Sequence, residues 1–408
     1  MMFTPYRPVL ALPSVRPLLL VAMLARVPTA AAGVTLTLHV VLDLHRGYAA
    51  AGLVGAAMTV GTAIGAPLLG RLVDRRGLRP VLLLTTLVEA AFWATAQAMP
   101  YRLLLAAAFV GGLCALPVFS VVRQSLAALT PERHRRQAYA LDSMSVELSF
   151  MTGPALAVFL ATTVSARVTM LTVGAGVVAA GTALLLLNPP VRAAAEPAGE
   201  RVRVRRRDWL AGRLLAVLVV SAAGTLVLGG TDVSVVAMLR GADQVGWTGA
   251  VLALWGGFSL IGGFAYGALH RAIAPAALTA LLCLLTIPVG LSGGRWWLLA
   301  LALLPAGALC APTLAATADA VSRLVPPSVR GEAMGLHGSA ITVGIALGAP
   351  LAGAVIDASG PAWGFAATGA VGLLAVLASR LLPQRRPPAE PSPDPHRPAR
   401  PSASPSIV

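Results

Sequence analysis

The sequence lacks lysine and contains few charged residues of any kind. All 31 basic residues are arginine, and charged residues make up 12% of the 408-residue chain, against roughly 25% in a soluble globular domain. This shortage excludes an ordinary soluble enzyme. The hydrophobic fraction of 57% excludes a disordered chain, which buries little apolar surface.

Cysteine and aromatic residues are also scarce. Cys114, Cys283 and Cys310 each lie inside an apolar run, with no C-x-x-C spacing. This pattern excludes a disulfide framework and predicts no metal site. Aromatic residues amount to 5%, which disfavours sugar recognition by ring stacking. The chain has no H-E-x-x-H, G-x-S-x-G or phosphate-loop motif, so we do not expect an enzyme or a cofactor.

Long apolar runs dominate what remains. A membrane-spanning helix needs about 20 apolar residues, and runs of this length occur twelve times. The first is too long for the core of a signal peptide and is expected to stay as a membrane helix. The predicted spans are 17–42, 49–70, 80–99, 103–128, 138–162, 168–187, 210–239, 247–269, 274–292, 296–320, 332–356 and 362–382.

The arginines are distributed unevenly between the loops. If the N-terminus is cytoplasmic, 25 of the 31 arginines fall in cytoplasmic segments, five fall in outer loops and Arg26 lies inside a helix. This split follows the positive-inside rule. It predicts a multi-pass protein of a bacterial cytoplasmic membrane with both termini inside. It also accounts for the basic pI without a nucleic-acid partner.

Two segments between and after these spans are polar. Residues 188–209 form a basic linker on the cytoplasmic side, and residues 383–408 form a Pro-rich tail that is expected to be disordered. The linker separates a first six-helix half (1–187) from a second (210–382). The two halves share a repeat, because Gly112–Pro117 matches Gly307–Pro312 at an offset of 195 residues. Parallel repeats of this kind occur in transporters, with the substrate site between the halves.

The loop after the second span carries a motif. Residues 70–80 read G-R-L-V-D-R-R-G-L-R-P, which resembles the G-x-x-x-D-R-x-G-x-R signature of the major facilitator superfamily. A carboxylate there is suited to cap a facing helix N-terminus, and the arginines are suited to pair with carboxylates across the boundary between the halves. The motif residues are Gly70, Asp74, Arg75, Gly77 and Arg79.

The resemblance covers residues 10–382 and implies an all-α membrane protein. Its twelve helices would form two pseudo-symmetric six-helix bundles that work by alternating access. The motif would then be a latch that closes the cytoplasmic side. A second likeness is Gly153-Pro154 in the fifth span, where the family's antiporters carry a Gly-Pro pair. A helix kink is expected there.

A few charges lie inside the predicted spans, where they are costly and tend to face a cavity or a partner. Arg26, Glu147 and Asp232 are deep, and Arg123 and Asp142 are nearer the cytoplasmic ends. From their depths, Glu147 is predicted to pair with Arg26 or Arg123 and to couple transport to protons when that partner is exchanged. A fixed ion pair within the first half is the alternative. Asp232 is predicted to contact substrate or proton, with solvation near the outer mouth as the alternative.

The sequence therefore predicts a monomeric secondary transporter of small organic molecules, embedded in a lipid bilayer. We expect proton-coupled export. Uptake of a nutrient such as a sugar is the alternative, because the sequence fixes neither coupling nor direction. The few charges on the expected cavity helices favour a neutral, amphiphilic or weakly cationic substrate.

Overall fold

A computed structural model describes residues 4–192, 205–210, 212–269, 271, 273–293 and 295–382. Within these ranges it contains twelve helices that are long and apolar enough to cross a membrane, and no strand. The predicted all-helical fold with twelve spans is therefore confirmed. The helices are α1 Val15–Asp43, α2 Ala49–Arg76, α3 Leu78–Ala96, α4 Tyr101–Leu129, α5 Glu132–Thr163, α6 Ala166–Leu187, α7 Gly212–Gly241, α8 Val245–Ala268, α9 Pro275–Ser292, α10 Trp296–Leu324, α11 Pro327–Ser359 and α12 Pro361–Ser379.

Because the number of spans is even, the described chain starts and ends on one side of the bundle. We call this the terminal side and the opposite one the distal side. Helices α1–α6 are called the first half and α7–α12 the second half. The prediction that residues 383–408 are disordered lies outside the described residues, as does the part of the linker from 193 to 204.

Among the residues that the structure describes, buried apolar side chains join the halves on the terminal side only. The largest cluster contains Val9, Leu69 and Tyr139 of the first half together with Val321 and Met334 of the second. Towards the distal side, the apolar clusters belong to a single half each. Since apolar burial stabilises the contact between the halves, the bundle is closed on the terminal side and its halves separate towards the distal side.

Two helix pairs form most of this closed contact. Along α2 and α11, the Ser339 hydroxyl donates to the Ala63 carbonyl at 2.6 Å, and a Cβ on Gly335 would lie 2.3 Å from the Ala66 carbonyl. Along α5 and α8, Gly263 packs against Met144 and Gly256 against Met151. Small residues let these helix backbones approach closely.

The segment before α1 also bridges the halves. The buried Tyr6 ring stacks on Phe264 of α8 with 4.8 Å between the ring centroids, and its hydroxyl donates to the Phe264 carbonyl at 2.5 Å. Burial raises the pKa of Tyr6 to about 12, so the phenol stays protonated and keeps donating at neutral pH. The N-terminal segment thus adds a contact to the terminal-side closure.

The two repeats differ in backbone where their sequences match. Helix α4 is interrupted at Cys114–Pro117, between the helical segments Tyr101–Leu113 and Val118–Leu129. The matching stretch of α10 continues as helix through Pro312. The interruption places Pro117 and Phe119 on the wall of the cavity described next.

Candidate functional site

A cavity of about 830 Å³ lies between the two halves. It extends from Arg123 and Met334 on the terminal side to Gly249 and Leu252 near the distal end of α8. Its wall is mostly apolar, and its charged side chains are Arg123, Glu147 and Asp232. In the described part of the chain, no group of three or more His, Cys, Asp or Glu side chains could hold a metal ion.

The terminal-side end of the cavity rests on a buried ion cluster. Arg26 Nη2 lies 2.6 Å from Asp142 Oδ1, and Arg123 Nε lies 3.1 Å from Asp142 Oδ2. None of these three side chains is more than 2% exposed. The Phe119 ring lies 5.0 Å from the Arg26 guanidinium and 5.9 Å from that of Arg123. Two guanidinium groups therefore share one carboxylate, and the cluster carries one excess positive charge.

The cluster continues into the second half through a buried histidine. Arg123 Nη1 lies 3.1 Å from His337 Nδ1 on α11, and His337 Nε2 lies 3.1 Å from the Thr317 hydroxyl on α10. Because a guanidinium only donates, Nδ1 must accept and Nε2 must carry the hydrogen. The histidine is thus the neutral tautomer, and its hydrogen bond with Arg123 ties the halves together on the terminal side.

These contacts correct one prediction. Arg26 and Arg123 bind Asp142, one and a half turns before Glu147 on α5, so the predicted pairing of Glu147 with either arginine is wrong in this conformation. Glu147 of α5 instead lies in the same cavity wall as Ser259 of α8 and Asp232 of α7. Both carboxylates line the cavity.

The motif carboxylate binds the start of a helix in the other half. Asp74 Oδ1 accepts from the Gly331 amide at 2.9 Å, and Oδ2 accepts from the Glu332 amide at 2.8 Å. Gln124 of α4 also donates to Oδ1 at 3.1 Å. Free amides and partial positive charge collect at a helix N-terminus, so the carboxylate caps α11 as its motif position predicts.

The sequence profile of the Major Facilitator Superfamily matches residues 18–293 and 271–407. The chain belongs to the major facilitator superfamily. Members of this family and the structural neighbours described next are transporters rather than enzymes. A search of curated proteins finds no significant match.

Solved structures of the superfamily share the fold at low sequence identity. The human organic anion transporter MFSD10 superposes with a TM-score of 0.70 at 20% identity, over 90% of this chain and 100% of that one. A bacterial homologue of the iron transporter ferroportin, in an outward-facing state, gives 0.70 at 16% identity over 90% and 98%. A variant of the E. coli fucose:proton symporter gives 0.69 at 17% identity over 91% and 98%.

The arginines of the superfamily motif do not form the predicted ion pairs. Arg75 and Arg79 are exposed, and neither forms an ion pair with a carboxylate in the described ranges, so their predicted pairing across the boundary is wrong in this conformation. Arg71 lies 3.8 Å from Glu332 instead, and Arg206 of the linker also binds Glu332. The linker thus supplies an arginine to the contact that the motif begins.

Gly70 of the superfamily motif is needed for the close approach of α2 and α11. A Cβ at this position would lie 2.1 Å from the Gly331 carbonyl oxygen. We expect Gly70→Ala to push α11 away from Asp74 and to shift the protein towards opening on the terminal side, with at least a severalfold loss of transport. Transport by the variant in proteoliposomes measures this.

The matched control for this prediction is Gly55→Ala in the same helix, where a Cβ would meet nothing within 4 Å. Equal transport by the two variants would show that the close contact at Gly70 has no role.

The Gly-Pro pair of the fifth span lies within a continuous helical segment, Arg135–Thr163. Gly153 packs on α1, because a Cβ there would lie 2.5 Å from the Val27 carbonyl. Pro154 lines the cavity. The pair therefore lies where α1 crosses α5 beside the cavity.

The sequence does not predict the roles of two residues of the ion cluster. Asp142 lies two turns along the segment Arg135–Thr163, where its sequence position indicates only a charge near the cytoplasmic end. His337 is not among the predicted site residues. Its isolated position in the Gly- and Ala-rich stretch G-L-H-G-S-A was the available signal, since a titratable side chain is rare in such a span.

Proposed function

We propose that this chain is a proton-coupled exporter of small organic molecules that works by alternating access. It would act as a monomer in a bacterial cytoplasmic membrane, with the terminal side cytoplasmic and with the proton gradient instead of a cofactor as its driving force. The supporting observation is the cavity of about 830 Å³ between the halves, closed on the terminal side and lined by two carboxylates. In this orientation the conformation faces outward.

The closed side supports a cycle between two states. The Asp74 cap on α11 and the Arg123–His337 hydrogen bond both join residues of opposite halves. Both must break before the cavity opens to the cytoplasm. Contacts that exist in one state only set the equilibrium between the states.

The acid pair supports proton coupling. Glu147 and Asp232 belong to opposite halves, line the same cavity and form no ion pair with a described basic residue. Two neighbouring carboxylates that lack a basic partner favour the uptake of a proton. Movement of the halves would separate them and change their affinity for protons, which is the requirement for coupling.

Glu147→Gln is the direct test of this coupling. The amide keeps the shape of the side chain but binds no proton at neutral pH. Transport of a substrate against its gradient, driven by an imposed pH gradient in proteoliposomes, should fall to background, while exchange of substrate at equal pH continues. Asp357→Asn is the control, because Asp357 is an exposed acid outside this cavity.

Direction is tested in cells with and without the gene. Export predicts that the gene raises the inhibitory concentration of at least one compound in a broad panel. Accumulation of a labelled sugar or other nutrient would instead support uptake.

Undiminished pH-driven transport by Glu147→Gln would refute the role of this carboxylate.

A further inference from the structure

The cavity has a positive pole at its terminal-side end. Arg26 and Arg123 share the single carboxylate of Asp142, and His337 accepts from Arg123 as a neutral ring, so one positive charge stays uncompensated. Nε and Nη1 of Arg123 are engaged by Asp142 and His337, whereas Nη2 donates to no described residue. Because Arg123 lines the cavity, this free donor is available to an anionic group there.

The cavity has a negative pole closer to the distal side. Glu147 on α5 and Asp232 on α7 belong to opposite halves, and both line the cavity. Arg123 does not compensate either of them, since its bound carboxylate is Asp142. A cation between or beside these carboxylates relieves their repulsion.

The offset between the two poles along the helix axis follows from α5. Asp142, which holds Arg123, and Glu147 are five residues apart on one helix, so they are separated by about 7.5 Å along its axis. The wall around them is apolar and includes Phe119, Val146 and Leu314. Apolar walls exclude water and strengthen a charge-assisted hydrogen bond at each pole.

We infer that the cavity binds zwitterionic organic molecules with the carboxylate on Arg123 and the ammonium group beside Glu147 and Asp232. The two charges of such a substrate are separated by an apolar span of about 7.5 Å, the rise along α5 between Asp142 and Glu147. This inference rests on the proposed function, because it names the substrate class of the same cavity. A proton and the ammonium group compete for the acid pair, which would link export to proton entry.

The test uses four probes that share one ring. They are para-(aminomethyl)benzoate, its ortho isomer, para-methylbenzoate and para-methylbenzylamine. The zwitterion with widely spaced charges should bind about tenfold or more tightly than each of the others, as expected when one charge-assisted hydrogen bond is missing or misplaced. Binding to the purified full-length chain is measured by titration calorimetry without a pH gradient, and by quenching of Trp255, which lines the cavity.

Two variants test the positive and the negative pole individually. In Arg123→Gln, the para zwitterion should bind no more tightly than para-methylbenzylamine. In Glu147→Gln, the para zwitterion should bind no more tightly than para-methylbenzoate. In the first variant Asp142 keeps Arg26 as its partner at 2.6 Å, which preserves a buried ion pair. Arg102→Gln is the control, because Arg102 is exposed at the start of α4; it should leave all four affinities unchanged.

Each outcome bears on the inference. If para-methylbenzylamine binds as tightly as the para zwitterion, the role of Arg123 is overturned. If para-methylbenzoate binds as tightly as the para zwitterion, the role of the acid pair is overturned. If the ortho isomer binds as tightly as the para isomer, the inferred spacing of the charges is overturned. Failure of all four probes to bind overturns the zwitterion class. The proposed function is judged separately by pH-driven transport, so binding with no pH-driven transport would refute the coupling and leave the substrate class standing.

Discussion

Replacement of Asp142 by Asn should destabilise the protein by about 3–5 kcal/mol, the cost of removing one partner from a buried ion pair. Asp142 is fully buried and is the carboxylate that both Arg26 and Arg123 contact. Its neutralisation leaves two guanidinium groups facing each other with no anion. Thermal unfolding of the purified variant in the same detergent as the parent chain should show a loss of many degrees in Tm, or the variant should fail to accumulate in the membrane.

Arg26→Met is the informative comparison. It removes a buried charge as well, but the Arg123–Asp142 pair that remains is neutral. Because it removes the excess positive charge of the cluster, this variant should lose less than half the stability that Asp142→Asn loses. The reverse order, with Arg26→Met the more damaging change, would show that the charge balance assigned to the cluster is incorrect.

Asp74→Asn should shift the protein towards the state that is open on the terminal side by about tenfold to a hundredfold, because charge-assisted hydrogen bonds contribute about 1.5–3 kcal/mol. The carboxylate accepts two backbone amides of α11 with separate oxygens, whereas an Asn side chain offers one oxygen and no charge. Folding should be preserved, because Asn keeps an oxygen that can still accept the Gln124 hydrogen bond within the first half. Transport should fall because the closed terminal side is required in the cycle.

Spin labels measure this shift directly. Labels at the exposed positions Arg76 and Arg271 lie on opposite halves at the terminal side, in a background in which the three native cysteines are replaced. The distance between the labels should lengthen in Asp74→Asn. Arg75→Gln, the neighbouring exposed position, should leave the distance and the transport rate unchanged. An unaltered distance in Asp74→Asn would exclude the latch.

Features that depend on one helix at a time were predictable from the sequence. A span needs about 20 apolar residues whatever its neighbours are, and the twelve predicted runs match the twelve helices, with the largest differences at the end of α2 and at the starts of α5 and α11. Helices α5 and α11 start six and five residues earlier than predicted, because polar turns such as Glu132–His134 extend the helix beyond the apolar run.

The Asp74 cap was also predictable from the sequence, since a carboxylate at this motif position is stabilised by a helix N-terminus. What the sequence does not show is which helix presents that N-terminus. The capped amide of α11, that of Gly331, lies 257 residues later in the chain. The partners of Glu332 are likewise not visible in the sequence, because Arg71 and Arg206 contact it from two distant segments of the chain.

By itself the sequence determined the helix count, the fold class and the motif that marks the superfamily, because each of these follows from runs of residues along one chain segment. The tertiary structure alone decided that Arg26 and Arg123 bind Asp142, and that Glu147 and Asp232 line one cavity. The depth of each charge along the membrane normal is predictable from the sequence, but its position within the membrane plane is not. The rotation and offset of α1, α4 and α5 select the carboxylate each guanidinium reaches, because an ion pair forms only within about 4 Å.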